Sequence, residues 1–167
     1  MYGFFVKGKL NNLQNTVDTC LNAPANNKMR FEVLSPYVLT TYTRVNKAYS
    51  AVEVDRNKGF ISEIDIITWI MVGSMKEVGG KLKLDHVYWF PHHVFVDSAM
   101  ALINGRELFG YPKFLCQYDI PTPDQAPDYF SCKVNAFQPF SPETKIDWHM
   151  LMEVKRNAGD HETKLEN

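Results

Sequence analysis

Phe60-Ile61-Ser62-Glu63-Ile64-Asp65-Ile66-Ile67-Thr68-Trp69-Ile70-Met71-Val72 is the stretch whose reading decides the fold. It is rich in β-branched and aromatic residues, contains neither Gly nor Pro, and lies between Gly59 and the pair Gly79-Gly80. That composition reads as one long, largely apolar strand. Period-two alternation puts Glu63 and Asp65 on one face and Ile64 and Ile66 on the other. With one wet face, such a strand sends its carboxylates to solvent. In a barrel with a polar lumen the same face lines a site.

Outward from this strand the pattern stays β-like. Arg56 to Gly59 reads as a turn, and Tyr49 to Asp55 alternates as a strand does. Phe31 to Arg44 is rich in Val, Tyr and Thr and broken at Ser35-Pro36, which predicts two strands around a turn. Leu13, Val17, Cys20 and Leu21 recur at helical spacing and predict a short amphipathic helix over 12–22. Leu84 to Val96 is a further β stretch, interrupted by Pro91. Asp97 and Ser98 are suited to cap a short helix over 99–104. Later strands are predicted near 113–119, 129–138 and 146–155, with Pro121, Pro123, Pro127, Pro139 and Pro142 in the loops. Many short strands and few helices predict a mainly β (α+β) fold, an antiparallel, barrel-like curved sheet. Residues 1–156 are expected to form a single domain, followed by a polar, disordered tail over 157–167.

Composition excludes several classes of function. Hydrophobic residues at 45% and charged residues at 22% suit a soluble globular chain. A net charge of −1 favours neither nucleic acid nor an anionic membrane as partner. No apolar run has the length of a membrane span, and no signal-peptide pattern opens the chain. Cys20, Cys116 and Cys132 are odd in number and widely spaced, which fits reduced thiols and a cytoplasmic location. His92 and His93 are adjacent and alternate across a strand, so a shared metal site is not expected.

The densest chemistry lies in Gly105-Arg106-Glu107-Leu108-Phe109-Gly110-Tyr111-Pro112-Lys113-Phe114-Leu115. One lysine stands here among Phe109, Tyr111, Phe114 and Leu115. An ordinary lysine is almost wholly protonated at neutral pH and is a poor nucleophile. Burial in an apolar pocket disfavours the charged form of such a group. The free amine then attacks a ketone to form a Schiff base. The bland alternative is an ammonium that reaches into water from an apolar stem.

Gly105-Arg106-Glu107 followed by Gly110-Tyr111-Pro112-Lys113 resembles the signature of the acetoacetate decarboxylase family, in which the lysine after the proline forms the Schiff base. That enzyme is itself a standing example of a lysine activated by its surroundings. Gly59 to Val72 resembles the family strand that carries an active-site glutamate, and Phe95 to Asn104 resembles the approach to the lysine motif. The similarity spans roughly residues 30 to 155. It implies a β-barrel-like cone with helices at its side, Lys113 as nucleophile and Glu63 as proton shuttle. It also implies Phe114, Arg106 and Phe95 as substrate contacts, with Arg106 and Glu107 alternatively an ion pair that fixes the turn before Lys113.

The sequence also departs from the family. Where the decarboxylase has a second lysine, this chain has Phe114. The family's arginine before its first strand is expected to lie ahead of Met1, and Ala48 stands where a second glutamate is expected, with Glu53 as the match if a gap is allowed. The function the resemblance implies is decarboxylation of a small β-keto acid through a lysine iminium, with no cofactor and no metal. The alternatives are aldolase- or dehydratase-type chemistry, or a non-catalytic domain for ligand binding or assembly. A homo-oligomer is expected, since aromatic residues reach 13% and strand edges need cover.

Overall fold

The computed structural model describes residues 1–157 apart from Asn27 and Gln138. The tail expected over 157–167 lies outside the described residues beyond Asn157. The fold is mainly β, with few and short helices. The chain divides into two compact units, Met1–Leu115 and Cys116–Asn167.

In the first unit the strands are β1 (Tyr2–Lys7), β2 (Arg30–Ala48), β3 (Ile61–Val78), β4 (Lys81–Val96) and the first three residues of β5 (Lys113–Asp119). β1 through β4 pair antiparallel in sequence order. β5 adds to β4 in parallel, in the register Val94↔Lys113, Phe95↔Phe114, Val96↔Leu115. A parallel neighbour needs a long crossover, and α3 (Ala99–Phe109) supplies it. Gly79 and Gly80, with φ of 62° and 72°, turn β3 into β4. Positive φ at both central residues matches the tightest hairpin turns, and Val78 pairs Lys81 directly across it.

Bulges bend these long strands. The Ser35-Pro36 break does not separate two strands. β2 runs through it, with a register shift between Val33 and Val38 that gives the proline, which has no N–H to donate, a place outside the ladder. Pro91 sits beside a second bulge, where Thr68 pairs His93 and Trp69 pairs Pro91, leaving His92 as the extra residue.

Both faces of β3 are covered. On one face Ile70 and Val72 meet Val17 of α1 (Leu10–Val17), with Leu13, Leu21, Phe31 and Phe90 around them. The helix predicted over 12–22 is this one, continued by a π-turn at Asp18–Asn22 and by α2 (Ala23–Ala25). The side-chain amide of Gln14 pins it to β2, accepting from the Val33 N–H at 2.8 Å and donating to the Phe31 carbonyl at 3.2 Å. On the other face Ala101 of α3 packs on Val94, Val96, Ile61 and Ile67. Two local readings differ from the structure. Tyr49 to Asp55 forms no strand: its alternating Val52 and Val54 are exposed, and a 3-10 turn occupies Glu53–Lys58. β1, whose Gly3 and short length give little strand signal, pairs along β2.

The second unit holds the rest of β5 with β6 (Tyr129–Ala136) and β7 (Asp147–Lys155), antiparallel in that order. Phe130, Ser131 and Cys132 are its buried residues on β6, and the Ser131 hydroxyl donates to Asp119 at 2.6 Å. Cys20, Cys116 and Cys132 are all free thiols. No helix among the described residues is long and apolar enough to cross a membrane.

Candidate active site

The site is built where α3 lies over the β3–β4–β5 face of the first unit. Ser98 caps α3, its hydroxyl accepting from the Ala101 N–H at 3.3 Å. Asp97, the other expected cap, instead accepts from the Ile64 N–H at 2.9 Å, which ties the carboxylate-bearing end of β3 to the start of α3. The helix runs past Gly105 to Phe109 and ends at Gly110, whose φ of 68° suits a residue without Cβ. Gly110 donates to the Arg106 carbonyl at 3.2 Å, and Pro112 forbids further helix. The chain then enters β5, with the Val94 N–H donating to the Pro112 carbonyl at 3.2 Å.

Lys113 is thus the first residue of β5, two strands away from Glu63 and Asp65. Its stem crosses buried Val94 and passes beneath α3 at Gly105. The ammonium donates to Glu63 Oε2 at 3.2 Å and stands 3.7 Å from Asp65 Oδ1. The second distance is an ion pair and too long for a hydrogen bond, so the buried Asp65 Oδ1 has no hydrogen-bond partner among the described residues. The Lys113, Glu63 and Asp65 side chains are only 10%, 10% and 18% exposed.

Burying one cation among two anions has consequences. Each buried charge costs several kcal/mol of desolvation, of which only part returns as attraction. Burial lifts the Asp65 carboxyl above its ordinary value, and the Glu63 charge pushes it further. The Lys113 ammonium pulls against both, while Asp97 adds a smaller push upward. Asp65 is therefore the carboxyl of the cluster whose charged form is disfavoured.

These three side chains face a cavity of about 1210 Å³. Ile67, Trp69, Trp89 and Pro91 line it from the sheet, and Met100, Ala101, Asn104 and Leu108 from α3. The Trp69 indole N–H is taken by the Thr41 hydroxyl at 3.0 Å, so the ring offers the cavity an apolar surface.

Glu63 and Lys113, expected to share a pocket, lie together. The surroundings of the amine differ from the apolar ones that the sequence predicts, because the carboxylates of β3 reach it. The alternation reading for β3 holds, but α3 covers part of the carboxylate face, so that Glu63 and Asp65 keep only slight exposure. Phe114 and Phe95 take the other face of the sheet, since each alternates with a cavity residue, Lys113 and Val94 respectively. Their rings lie 5.9 Å apart, and Phe114 is also 6.0 Å from the His93 ring. Neither lines the cavity. Arg106 is exposed on α3 and outside the cavity lining, one position past the residue that faces Lys113.

The bulge at His92 also changes the histidine geometry. Strict alternation would separate the two rings, yet the extra residue brings them to 3.9 Å between centroids. Among the described residues no group of three or more His, Cys, Asp or Glu is placed to hold a metal.

Sequence reading holds Gly105 only as part of the motif, without its packing role, and leaves out the apolar walls. Ala101, Asn104, Gly105 and Leu108 follow the i, i+3, i+4, i+7 spacing of one helix face. That signal is legible once the helix is carried through Gly105 instead of stopping at Asn104.

A mainly β fold with a crossover helix thus sets a lysine and two carboxylates together on one cavity. The chain belongs to the acetoacetate decarboxylase family, whose model, Acetoacetate decarboxylase (ADC), matches residues 13–137. Among solved structures it is similar to acetoacetate decarboxylase from Legionella pneumophila subsp. pneumophila str. Philadelphia 1. The two are 16% identical with a TM-score of 0.44, over 78% of this chain and 40% of that one. The chain thus spans well under half the length of that enzyme. No curated protein sequence gives a significant match.

Proposed function

We propose that this chain is a Schiff-base-forming lyase that decarboxylates a β-keto acid through an iminium on Lys113. The observation that carries the reading is the buried Lys113 ammonium, hydrogen-bonded to Glu63 at 3.2 Å with Asp65 at 3.7 Å on a common cavity. Glu63 takes a proton from the ammonium, and the free amine adds to the ketone carbon to give a carbinolamine. A carboxyl of the cluster returns a proton to the departing hydroxyl, water leaves, and the iminium forms. The bond to the substrate carboxylate breaks, carbon dioxide leaves, and its electron pair enters the iminium as an enamine. Protonation at carbon and addition of water then release the ketone and restore the amine. Every step is redox neutral and calls for no cofactor.

The two carboxylates stabilise the cationic iminium in a site of low exposure, where such charge pairing is stronger than in water. The same pair repels a substrate carboxylate held beside the amine. That observation favours a second reading, iminium chemistry of aldol or dehydration type on a neutral carbonyl compound. Mixing the protein with a β-keto acid, trapping with borohydride and mapping the mass adduct tests the shared step. An adduct on the Lys113 peptide supports both readings, and release of carbon dioxide selects the first. Absence of the adduct with Lys113 intact removes both.

A further inference from the structure

We infer that the site takes a carbonyl compound with a long aliphatic or aromatic tail, and not one as small as acetoacetate. The inference rests on the Schiff-base reading of Lys113 and adds the substrate class. A cavity of about 1210 Å³ lies above the roughly 300–1,000 Å³ usual for small-molecule sites. Glu63 and Asp65 meet Lys113 at one part of the wall, and Ser50, Asp55 and Lys58 bring polar groups to another. Between these groups stand large apolar walls, with Phe60, Trp69, Trp89, Pro91, Met100 and Leu108. Met100 and Leu108 mark a track along α3 of about 12 Å at 1.5 Å per residue, longer than a four-carbon acid. Phe60, Trp89, Met100 and Leu108 are exposed in the free chain. Large apolar groups that stay exposed around a concave site have area to gain from an apolar ligand. The cavity therefore sets apolar walls along α3 beside the charged group that takes the carbonyl, and these walls take a tail.

Three neutral methyl ketones test this without a substrate carboxylate: acetone, 2-nonanone and 4-phenyl-2-butanone. Each is incubated with the full chain and borohydride, and the Lys113 adduct is followed by mass against ketone concentration. Hydride adds to the iminium carbon and fixes the ketone as a secondary amine. The two tailed ketones are expected to half-saturate trapping at concentrations at least tenfold below acetone. Leu108→Ser or Met100→Ser, both at exposed positions, should each reduce that ratio several-fold. Equal half-saturation by all three ketones, with adduct present, overturns the inference and leaves the Schiff-base reading standing. The same result is expected if a second copy of the chain covers the apolar walls. No adduct from any of the three overturns the inference together with the reading beneath it.

Discussion

Gly105 and Lys113 compete for one space. A Cβ built on Gly105 would lie 2.4 Å from Lys113 Cδ and 2.5 Å from Cε, closer than real carbon atoms approach. The helix crosses the lysine stem at the one residue that leaves room for it.

Gly105→Ala should therefore separate stability from chemistry. Alanine in a helix interior is favoured over glycine by about 1 kcal/mol, which offsets part of the clash. The lysine stem is flexible and gives way first, carrying the amine away from Glu63. We expect a melting temperature within a few degrees of the parent, and borohydride trapping at Lys113 slowed about 100-fold. Thermal melts and adduct mass together check it. Undiminished trapping would mean that the stem has another path to the carboxylates.

Lys113→Met should destabilise the chain at neutral pH, because it leaves Glu63 and Asp65 buried without their cation. Removing one partner of a buried ion pair costs about 3–5 kcal/mol, and the slight exposure of these groups argues for the lower end. Adding Glu63→Gln to the variant should recover most of the loss. Urea melts of the two single variants and the double variant give the coupling. Additive effects would show that the ammonium and Glu63 do not hold each other.

The extent of what the sequence discloses follows from where its signals are local. β3 is legible to Val72 because its composition is one-sided over many residues, but its continuation through Gly73 to Val78 carries no such signal. β5 begins where Pro112 forces an extended chain, so its start at Lys113 was readable too. The length of α3 was not, because Gly105 looks like a helix stop and acts as a packing gap. Its reason lies across space in Lys113, eight positions on. Asp65 was legible as a neighbour of Glu63 on one face, but the partial cover of that face depends on the crossover helix. The bulge that brings His92 against His93 leaves no mark in the sequence beyond Pro91.

His92 and His93 give a pH dependence of their own. Burial holds both below the ordinary histidine value of 6.5, and for His92 the neighbouring His93 charge adds to it. A group lowered in this way binds its proton less readily in the folded chain than in the unfolded one. Stability is thus full above about pH 6.5 and declines as pH falls from there through the folded values. Changing both residues to Gln should flatten this part of the profile. Urea melts between about pH 5 and 7.5 measure it. An unchanged slope below pH 6.5 would place the titration in other groups.

Asp65 has the opposite sign. Its carboxyl is raised above the ordinary value of 3.8, first by burial and then by the Glu63 charge. The folded chain therefore holds the Asp65 proton to higher pH than the unfolded chain does. This contribution favours folding at low pH and is lost as pH rises from 3.8 through the folded value. Asp65→Asn keeps the shape and removes the charge, so the variant should be more stable than the parent at neutral pH. The gap should close as pH falls toward 3.8. The same change takes away a proton donor beside the amine, and trapping at Lys113 should slow by 100-fold or more if Asp65 supplies the proton for water loss. Glu63→Gln separates the two carboxyls, since Glu63 is the one hydrogen-bonded to the amine. Urea melts across pH and adduct rates are the two measurements. A variant less stable than the parent at neutral pH would show that the 3.7 Å attraction to Lys113 outweighs burial, leaving Asp65 an ion-pair partner and not a proton store.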